Sequence, residues 1–280
     1  MSSRIISTLF LWTIVGSSLF YFGIHAAVIL ITLLAALTLH EFYGLTEKMG
    51  FKPFRWLGLL ICVLMVGAPY YATLYIFDGD ELPGLVPGMM AISVVIFSAG
   101  ILGVRDNTNR IESLVASLLG LLYIPFMLHY LVRLLLLYAE PSVGLALALW
   151  VVAVSKFCDV GALLTGLAFG RHKMAPNISP KKTWEGAIGG VLVSAGVGVG
   201  IAHFAGDYLP ETLTIFRAAL IGALLAVTTI VSDLIESAMK RRADIKDTGT
   251  LIPGIGGAFD LSDSLILTAP VAYFVFLFLS

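Results

Sequence analysis

Long apolar segments follow one another along almost the whole chain and are separated by short polar loops. A helix that crosses a bilayer needs about 20 mostly apolar residues, and this criterion predicts about nine membrane-spanning helices. The sixth contains Lys156 and Asp159, so we expect that helix to be broken or tilted. The predicted spans are 5–23, 25–40, 57–77, 86–104, 113–138, 142–169, 186–205, 214–234 and 262–280.

The composition agrees with this pattern and excludes a soluble globular domain. Of the 280 residues, 59% are hydrophobic and 12% are charged, whereas about 25% of the residues in soluble domains are charged. Arg4 and the apolar run after it resemble a signal peptide, but no clear cleavage site follows, so we expect a retained first helix. Cys62 and Cys158 lie in apolar runs, which predicts buried packing residues. We therefore predict an all-α polytopic integral membrane protein.

The distribution of lysine and arginine predicts the orientation of the chain. Loops after the even-numbered spans carry most of the basic residues, and loops after the odd-numbered spans carry mainly acids. The positive-inside rule then places the N-terminus in the cytoplasm and the C-terminus outside. It also places two polar loops, 170–185 and 235–261, on the cytoplasmic side. We predict two regions, 1–138 with about five spans and 139–280 with about four spans and both of these loops.

The stretch Ser232–Ser264 contains six of the 18 acidic residues. If its first part is helical, four polar side chains share one helix face: Asp233, Glu236, Ser237 and Lys240. Asp260 and Asp263 would share a face at the start of the next helix, after a turn rich in proline and glycine. Mg²⁺ is bound by a few carboxylates together with substrate phosphates. The pattern favours a divalent-metal site over a solvated polar face, which would not explain the tight turn.

The loop 170–185 has the features of a phosphate-binding segment. Lys173, Lys181 and Lys182 supply compact positive charge, although the positive-inside rule alone could explain them. Ser179-Pro180 predicts a turn, and Thr183 with Glu185 predicts the capped start of a helix. On the preceding helix, small residues predict a close approach of backbones: Gly161, Gly166 and Gly170.

Ionisable residues inside predicted spans are costly and are functional by default. Lys156 and Asp159 either belong to the site or form a structural pair with each other. His129 and Arg133 are four residues apart, and the arginine could meet a lipid phosphate, snorkel to the membrane surface or form a structural pair. Three residues at a predicted helix end are interpreted as interfacial: Glu41, Phe42 and Tyr43.

Two motifs in the C-terminal half resemble a known family. Residues Ser237–Ser264 read S-A-M-K-R-x4-K-D-x-G-x-x-I-P-G-x-G-G-x-x-D-x-x-D-S, which closely resembles the signature of the phosphatidate cytidylyltransferases, also called CDP-diacylglycerol synthases. Asp159, Gly166, Gly170-Arg171 and S-P-K-K-T-W-E-G at 179–186 resemble a second region of that family. The first four spans match it only in hydropathy.

This resemblance implies transfer of a cytidylyl group from CTP to phosphatidate, giving CDP-diacylglycerol and pyrophosphate with Mg²⁺. It implies metal binding by Asp233, Asp260 and Asp263, with Ser237 and Lys240 close by. It further implies contacts with the substrates at Asp159, Lys173, Ser179, Lys181, Lys182, Lys246 and Asp247. We expect CTP, phosphatidate and the bilayer as partners, no nucleic acid, and a bacterial inner-membrane location with the site facing the cytoplasm. A second cation and a homodimer are further expectations.

Three positions depart from the family pattern. Ile255 replaces a usual histidine, Leu261 a usual arginine, and Ser232 a frequent glycine. Because the acids, the serine and the lysine are all present, we expect a working enzyme of a divergent branch. The alternatives are a CTP-dependent transferase or kinase acting on an isoprenoid lipid, a transporter with intramembrane charges along its pathway, and a non-catalytic homologue.

Overall fold

The computed structural model describes residues 2–76, 84–103, 110–245, 248–249 and 256–280, with side chains from residue 13 onward. Ten α-helices and one β-hairpin make up its regular structure, together with a 3₁₀ turn at Gly206–Tyr208. The helices are α1 Ser2–Lys48, α2 Arg55–Tyr75, α3 Leu85–Gly103, α4 Arg110–Tyr123, α5 Pro125–Leu136, α6 Pro141–Phe169, α7 Trp184–Phe204, α8 Ile215–Arg242, α9 Ala258–Ile266 and α10 Thr268–Leu277. The strands are β1 Lys173–Ala175 and β2 Ser179–Thr183.

Eight helical segments within the described residues are long and apolar enough to cross a membrane. The prediction of an all-α polytopic integral membrane protein is therefore confirmed. The count takes the described part of α1 as one segment, but the backbone departs from helical geometry at Gly23, with φ 53° and ψ −130°. This kink coincides with the predicted boundary between spans 5–23 and 25–40.

Two prolines explain where the observed helices are divided and the predicted spans are not. The predicted span 113–138 is divided into α4 and α5 at Ile124, directly before Pro125, because proline disfavours a helical conformation in the residue that precedes it. The span 262–280 is interrupted at Leu267, within reach of Pro270, which cannot continue the helical hydrogen bonding. Of the two expectations for the sixth span, the break is wrong, because α6 is continuous through Lys156 and Asp159. The tilt stays a prediction.

The chain folds as two compact units. The first contains Met1–Val132 and Arg242–Ser262, and the second contains Arg133–Arg241 and Asp263–Ser280. In the first unit, α1 packs on α2 and α4. Phe42 and Tyr43 are buried there, and the Tyr43 hydroxyl donates a hydrogen bond to the Ser117 carbonyl at 2.9 Å. The interpretation of Phe42 and Tyr43 as interfacial residues is therefore wrong.

In the second unit, α6 and α7 approach closely through small residues, as predicted for Gly161 and Gly166. A Cβ atom at Gly161 would lie 2.6 Å from the Val193 side chain, and one at Gly186 would lie 2.8 Å from the Ala162 carbonyl oxygen. Cys158 is a buried free thiol in this interface, and Cys62 is a buried free thiol of the first unit. Both cysteines fit the predicted packing role.

The loop 170–185 contains an antiparallel β-hairpin that the sequence pattern does not predict. Lys173 pairs with Thr183, and Ala175 pairs with Ser179. The predicted turn at Ser179-Pro180 is wrong, because both residues belong to β2 and the chain turns at 176–178, where Pro176-Asn177 supplies the turn residues. A proline is tolerated in β2 because each strand of a two-stranded sheet is an edge strand.

Candidate active site

The predicted polar face of α8 exists, because the helix continues to Arg242. Glu236 and Lys240 form an ion pair on this face, with 2.5 Å between Oε1 and Nζ. Glu236 is 1% exposed, so its carboxylate lies inside the protein although the sequence places it at the end of an apolar run. Asp233 and Ser237 are half-buried on the same face.

Three carboxylates of the second unit converge beside this face. Asp233, Glu236 and Asp263 each offer a ligand oxygen, and these atoms lie within 4.8 Å of one another. The Ser232 hydroxyl donates a hydrogen bond to the Asp263 carbonyl oxygen and so joins α8 to the chain at Asp263. Ligand oxygens around an octahedral Mg²⁺ lie about 3–4 Å apart. The donor set therefore suits Mg²⁺ after a small contraction of the cluster.

Two lysines reach this cluster from other parts of the second unit. Lys182 Nζ lies 2.6 Å from Asp233 Oδ2. Lys156 Nζ lies 3.8 Å from both Asp159 and Asp263 and donates a hydrogen bond to the Ser264 hydroxyl at 2.6 Å. The two interpretations of Lys156 and Asp159 are thus compatible, since they pair with each other while Lys156 also contacts the carboxylate cluster.

The charges of this group nearly cancel. Within the described part of the second unit, four carboxylates face three ammonium groups, which leaves a formal charge of −1. Paired charges of this kind are costly to disrupt one at a time, because removing one partner leaves the other charge uncompensated. A divalent cation would reverse the sign of the group to +1 and make it attractive to an anionic ligand. The arrangement can therefore couple the binding of a cation to the binding of phosphates.

The hairpin that carries Lys182 is fixed at both ends. Glu185, in the first turn of α7, accepts hydrogen bonds from the backbone N–H groups of Arg171 and His172 at 3.1 and 3.2 Å. It also contacts His172 Nδ1 at 2.6 Å. At the other end of the hairpin, Arg241 Nε donates to the Ile178 carbonyl at 3.2 Å. Thr183 caps α7 as predicted, since its hydroxyl accepts from Gly186 N at 3.1 Å.

Other predicted site residues belong to the hairpin, to α9 or to positions outside the described residues. Lys173 and Lys181 are exposed on the hairpin, and Ser179 is half-buried in β2. Asp260 lies in the first turn of α9, where its Oδ2 accepts a hydrogen bond from Gly257 N at 2.8 Å. Its metal role stays a prediction. The remaining positions, on which the structure gives no description, are Lys246, Asp247 and Ile255.

Two acids have contacts that the resemblance does not imply. The metal set that it implies leaves out Glu236, which helical spacing had already placed on one face with Asp233. Glu41 was interpreted as interfacial, yet it accepts hydrogen bonds from the backbone N–H groups of Ala258 and Phe259. No local pattern marks that contact, because the partners are more than 200 residues apart in the chain.

Arg133 has a structural contact in the second unit. Its guanidinium carbon lies 4.6 Å from the centre of the Tyr273 ring, a geometry that is typical of a cation–π interaction. This contact favours the structural interpretation of Arg133. The alternative contact with a lipid phosphate stays a prediction.

Together, the apolar helices and the cluster of carboxylates and lysines define an integral membrane protein with a charged polar site. The chain belongs to the cytidylyltransferase family, whose model matches residues 2–279. The match includes the first four spans, which the two motifs do not cover. The predicted family is confirmed.

Curated relatives agree with this assignment. The phosphatidate cytidylyltransferase of Thermotoga maritima is 34% identical over 212 residues, which are 74% of each chain. The protein of that name from Rickettsia bellii is 38% identical over 59% of this chain and 70% of its own length. The one from Haemophilus influenzae is 37% identical over 138 residues, so the chain spans about half (48%) of that relative's length.

Proposed function

We propose that the protein is a phosphatidate cytidylyltransferase. It would transfer a cytidylyl group from CTP to phosphatidate and form CDP-diacylglycerol and pyrophosphate. Family membership supports the reaction class, and the names of the relatives support the substrates. The observation that carries the proposal is the carboxylate cluster of Asp233, Glu236 and Asp263. The lysines beside it supply the positive charge that a triphosphate and a lipid phosphate both require.

The reaction is a phosphoryl-type substitution that needs little acid–base chemistry. An ionised phosphate oxygen of phosphatidate attacks the α-phosphorus of CTP, the bond from that phosphorus to the bridging oxygen breaks, and pyrophosphate leaves with the bonding electrons. Because the attacking oxygen is already deprotonated, the protein has to position the reactants and stabilise the charge on the departing pyrophosphate. Lysines and oxygen ligands, the groups present here, perform those two tasks.

Asp233, Glu236 and Asp263 would hold Mg²⁺, and the motif alone proposes Asp260 as a further ligand. The bound ion would neutralise charge on the triphosphate and the leaving group. Lys182 and Lys240 now pair with Asp233 and Glu236. If those carboxylates held the cation, the two ammonium groups would be available to phosphate oxygens. Cation binding would in this way prepare the nucleotide site.

We further propose that the site faces the cytoplasm of a bacterial inner membrane. The distribution of lysine and arginine supports this orientation, and a cytoplasmic site has access to CTP from the water and to phosphatidate from the bilayer. The second cation and the homodimer stay predictions.

The test compares two labels on CTP. Purified protein in mixed micelles with phosphatidate and Mg²⁺ should transfer ³²P to the lipid from α-labelled CTP, and no label from γ-labelled CTP. Transfer of the γ label would indicate a kinase and would contradict the proposal. The same assay with isoprenoid phosphates and alcohols decides the acceptor class, and a preference for those acceptors would also contradict it.

A further inference from the structure

Glu41 of α1 acts as a capping residue for α9, a helix more than 200 residues away in the chain. Its Oε1 accepts a hydrogen bond from Ala258 N, and its Oε2 accepts one from Phe259 N, both at 2.9 Å. The Thr248 hydroxyl donates a third bond to Oε2 at 3.1 Å. All of these residues belong to the first compact unit.

The first N–H groups of a helix have no partner within that helix. In α9, Glu41 satisfies two of them, and the adjacent Gly257 N donates to Asp260. A carboxylate at this position also interacts favourably with the positive end of the helix dipole. Because α9 has only nine residues, and helices this short are marginal without tertiary support, its start depends on these contacts.

The surroundings of Glu41 are shaped for its carboxylate. A side chain at Gly249 or at Gly257 would collide with the Glu41 carboxyl group, and a Cβ atom at Gly257 would also lie 2.6 Å from the Thr248 hydroxyl. Glycines at both positions therefore leave the space that the carboxylate occupies. Gly249 and Gly257 are also glycines of the C-terminal motif. Space for the Glu41 carboxylate therefore explains why glycine stands at these two motif positions.

Two further side chains on the Glu41 face of α1 also contact α9. The Thr38 hydroxyl lies 2.9 Å from the Ser262 hydroxyl, and the Phe42 ring packs edge-on against Phe259 with 6.1 Å between centroids. Thr38, Glu41 and Phe42 are spaced at i, i+3 and i+4, so they form one face of α1. This face fixes both the rotation and the start of α9.

We propose that Glu41 is a positioning residue for the cation-binding carboxylates of α9. By holding the N-terminal turn it fixes the backbone at Asp260, and the same helix continues to Asp263 one turn later. Glu41 itself would touch neither the cation nor the substrates. This inference rests on the proposed function, because it assigns Glu41 to the cation site of that reaction.

The test is the cation dependence of Glu41→Gln, which keeps the size of the side chain but removes its charge. Thermal unfolding of the purified protein in detergent, followed over a range of Mg²⁺ concentrations without substrate, gives the apparent dissociation constant for Mg²⁺, which is the concentration above which the unfolding midpoint rises with the logarithm of added Mg²⁺. We expect that concentration to rise about tenfold in Glu41→Gln, which corresponds to about 1.4 kcal/mol. In the transfer assay at saturating CTP and phosphatidate, the turnover rate at subsaturating Mg²⁺ should fall by a similar factor. It should recover as the Mg²⁺ concentration is raised.

Two further variants make the result specific. Glu47→Gln removes another acid of α1, one that pairs with Arg55 at 3.0 Å, and should leave the Mg²⁺ dependence unchanged. Thr248→Val removes one of the three donors to Glu41 and should shift the dependence in the same direction, by about two- to threefold.

The inference is overturned if Glu41→Gln and the native protein need the same Mg²⁺ concentration, or if Glu47→Gln shifts it equally. A Glu41→Gln protein that does not fold would also overturn it, because the residue would then be needed for the fold as a whole. If the native protein transfers no cytidylyl group and shows no Mg²⁺ response, the proposed function fails together with the inference. If the native protein responds to Mg²⁺ and Glu41→Gln shows the same Mg²⁺ dependence, the inference about Glu41 is wrong and the proposed function stands.

Discussion

Neutralising Asp233 should weaken the binding of the cation more than the binding of the nucleotide. The Asp233 carboxylate belongs to the cluster with Glu236 and Asp263, and its Oδ2 lies 2.6 Å from Lys182 Nζ. Asp233→Asn keeps the shape of the side chain and removes its charge. The substitution therefore removes a proposed cation ligand and at the same time releases a lysine that can attract phosphates.

The distance between the carboxylate and the cation sets the size of the effect. A cation held among ligand atoms that lie within 4.8 Å of one another would lie about 2–3 Å from each of them. At that distance a unit charge and a dication attract each other by about 11–17 kcal/mol at an effective dielectric constant of about 20. The side chains of Lys182 and Asp233 are 22% and 29% exposed, so water and the remaining amide oxygen replace much of this energy. We expect a net loss of about 2–3 kcal/mol, or about a 30- to 150-fold higher requirement for Mg²⁺.

Initial rates of CDP-diacylglycerol formation, measured over a range of Mg²⁺ at fixed CTP and then of CTP at saturating Mg²⁺, separate the two effects. Asp233→Asn should show the higher Mg²⁺ requirement without a higher KM for CTP, because Lys182 is released. Asp207→Asn, a change of an exposed acid in the turn between α7 and α8, is the control and should behave like the native protein. An unchanged Mg²⁺ requirement in Asp233→Asn would contradict the role of Asp233 as a cation ligand.

Two further predictions follow from the same geometry. Lys182→Met should raise the KM for CTP about tenfold or more, because a charged contact with a phosphate contributes about 1.5–3 kcal/mol. Lys48→Met changes an exposed residue at the end of α1 and should leave the KM unchanged. Equal KM values for the native protein and both variants would contradict the role of Lys182. Gly186→Ala should lower the thermal unfolding midpoint by several degrees, because its Cβ would lie 2.8 Å from the Ala162 carbonyl oxygen and overpacking costs about 1–3 kcal/mol. Gly200→Ala, which meets nothing within 4 Å, is the control, and a Gly186→Ala midpoint equal to that of the control would contradict the close helix contact.

Much of the fold can be predicted from the sequence, because a span needs only length and hydrophobicity. The kink at Gly23 and the boundaries of α6 and α7 lie close to the predicted positions. The hairpin at 173–183 escaped prediction because its strands have three and five residues and no alternation of apolar and polar positions. The interruption at Leu267 depends on Pro270, a single proline inside an apolar run. A prediction from hydropathy does not detect such a break.

Part of the candidate site can be predicted from local spacing in the sequence, and part depends on how the helices pack. The face with Asp233, Glu236 and Lys240 follows from helical spacing, so the sequence predicts it. The contacts of Lys182 with Asp233 and of Lys156 with Asp263 join residues far apart in the chain. A single sequence gives no local signal for such pairs, because they depend on the way the helices pack. The positive charge of the loop and its resemblance to a family motif suggested Lys182 as a site residue, but its contact with Asp233 is visible only in the fold.

The most direct test of the account is the transfer of label from α-³²P-CTP to phosphatidate by the native protein and by Asp263→Asn, each with Mg²⁺ and with a chelator. We expect the native protein to form labelled CDP-diacylglycerol only with Mg²⁺. We also expect a loss of at least about a hundredfold in Asp263→Asn at the same Mg²⁺ concentration, equivalent to about 2.7 kcal/mol. Full activity of Asp263→Asn, or undiminished transfer in the presence of the chelator, would contradict a reaction that depends on a cation held by this carboxylate cluster.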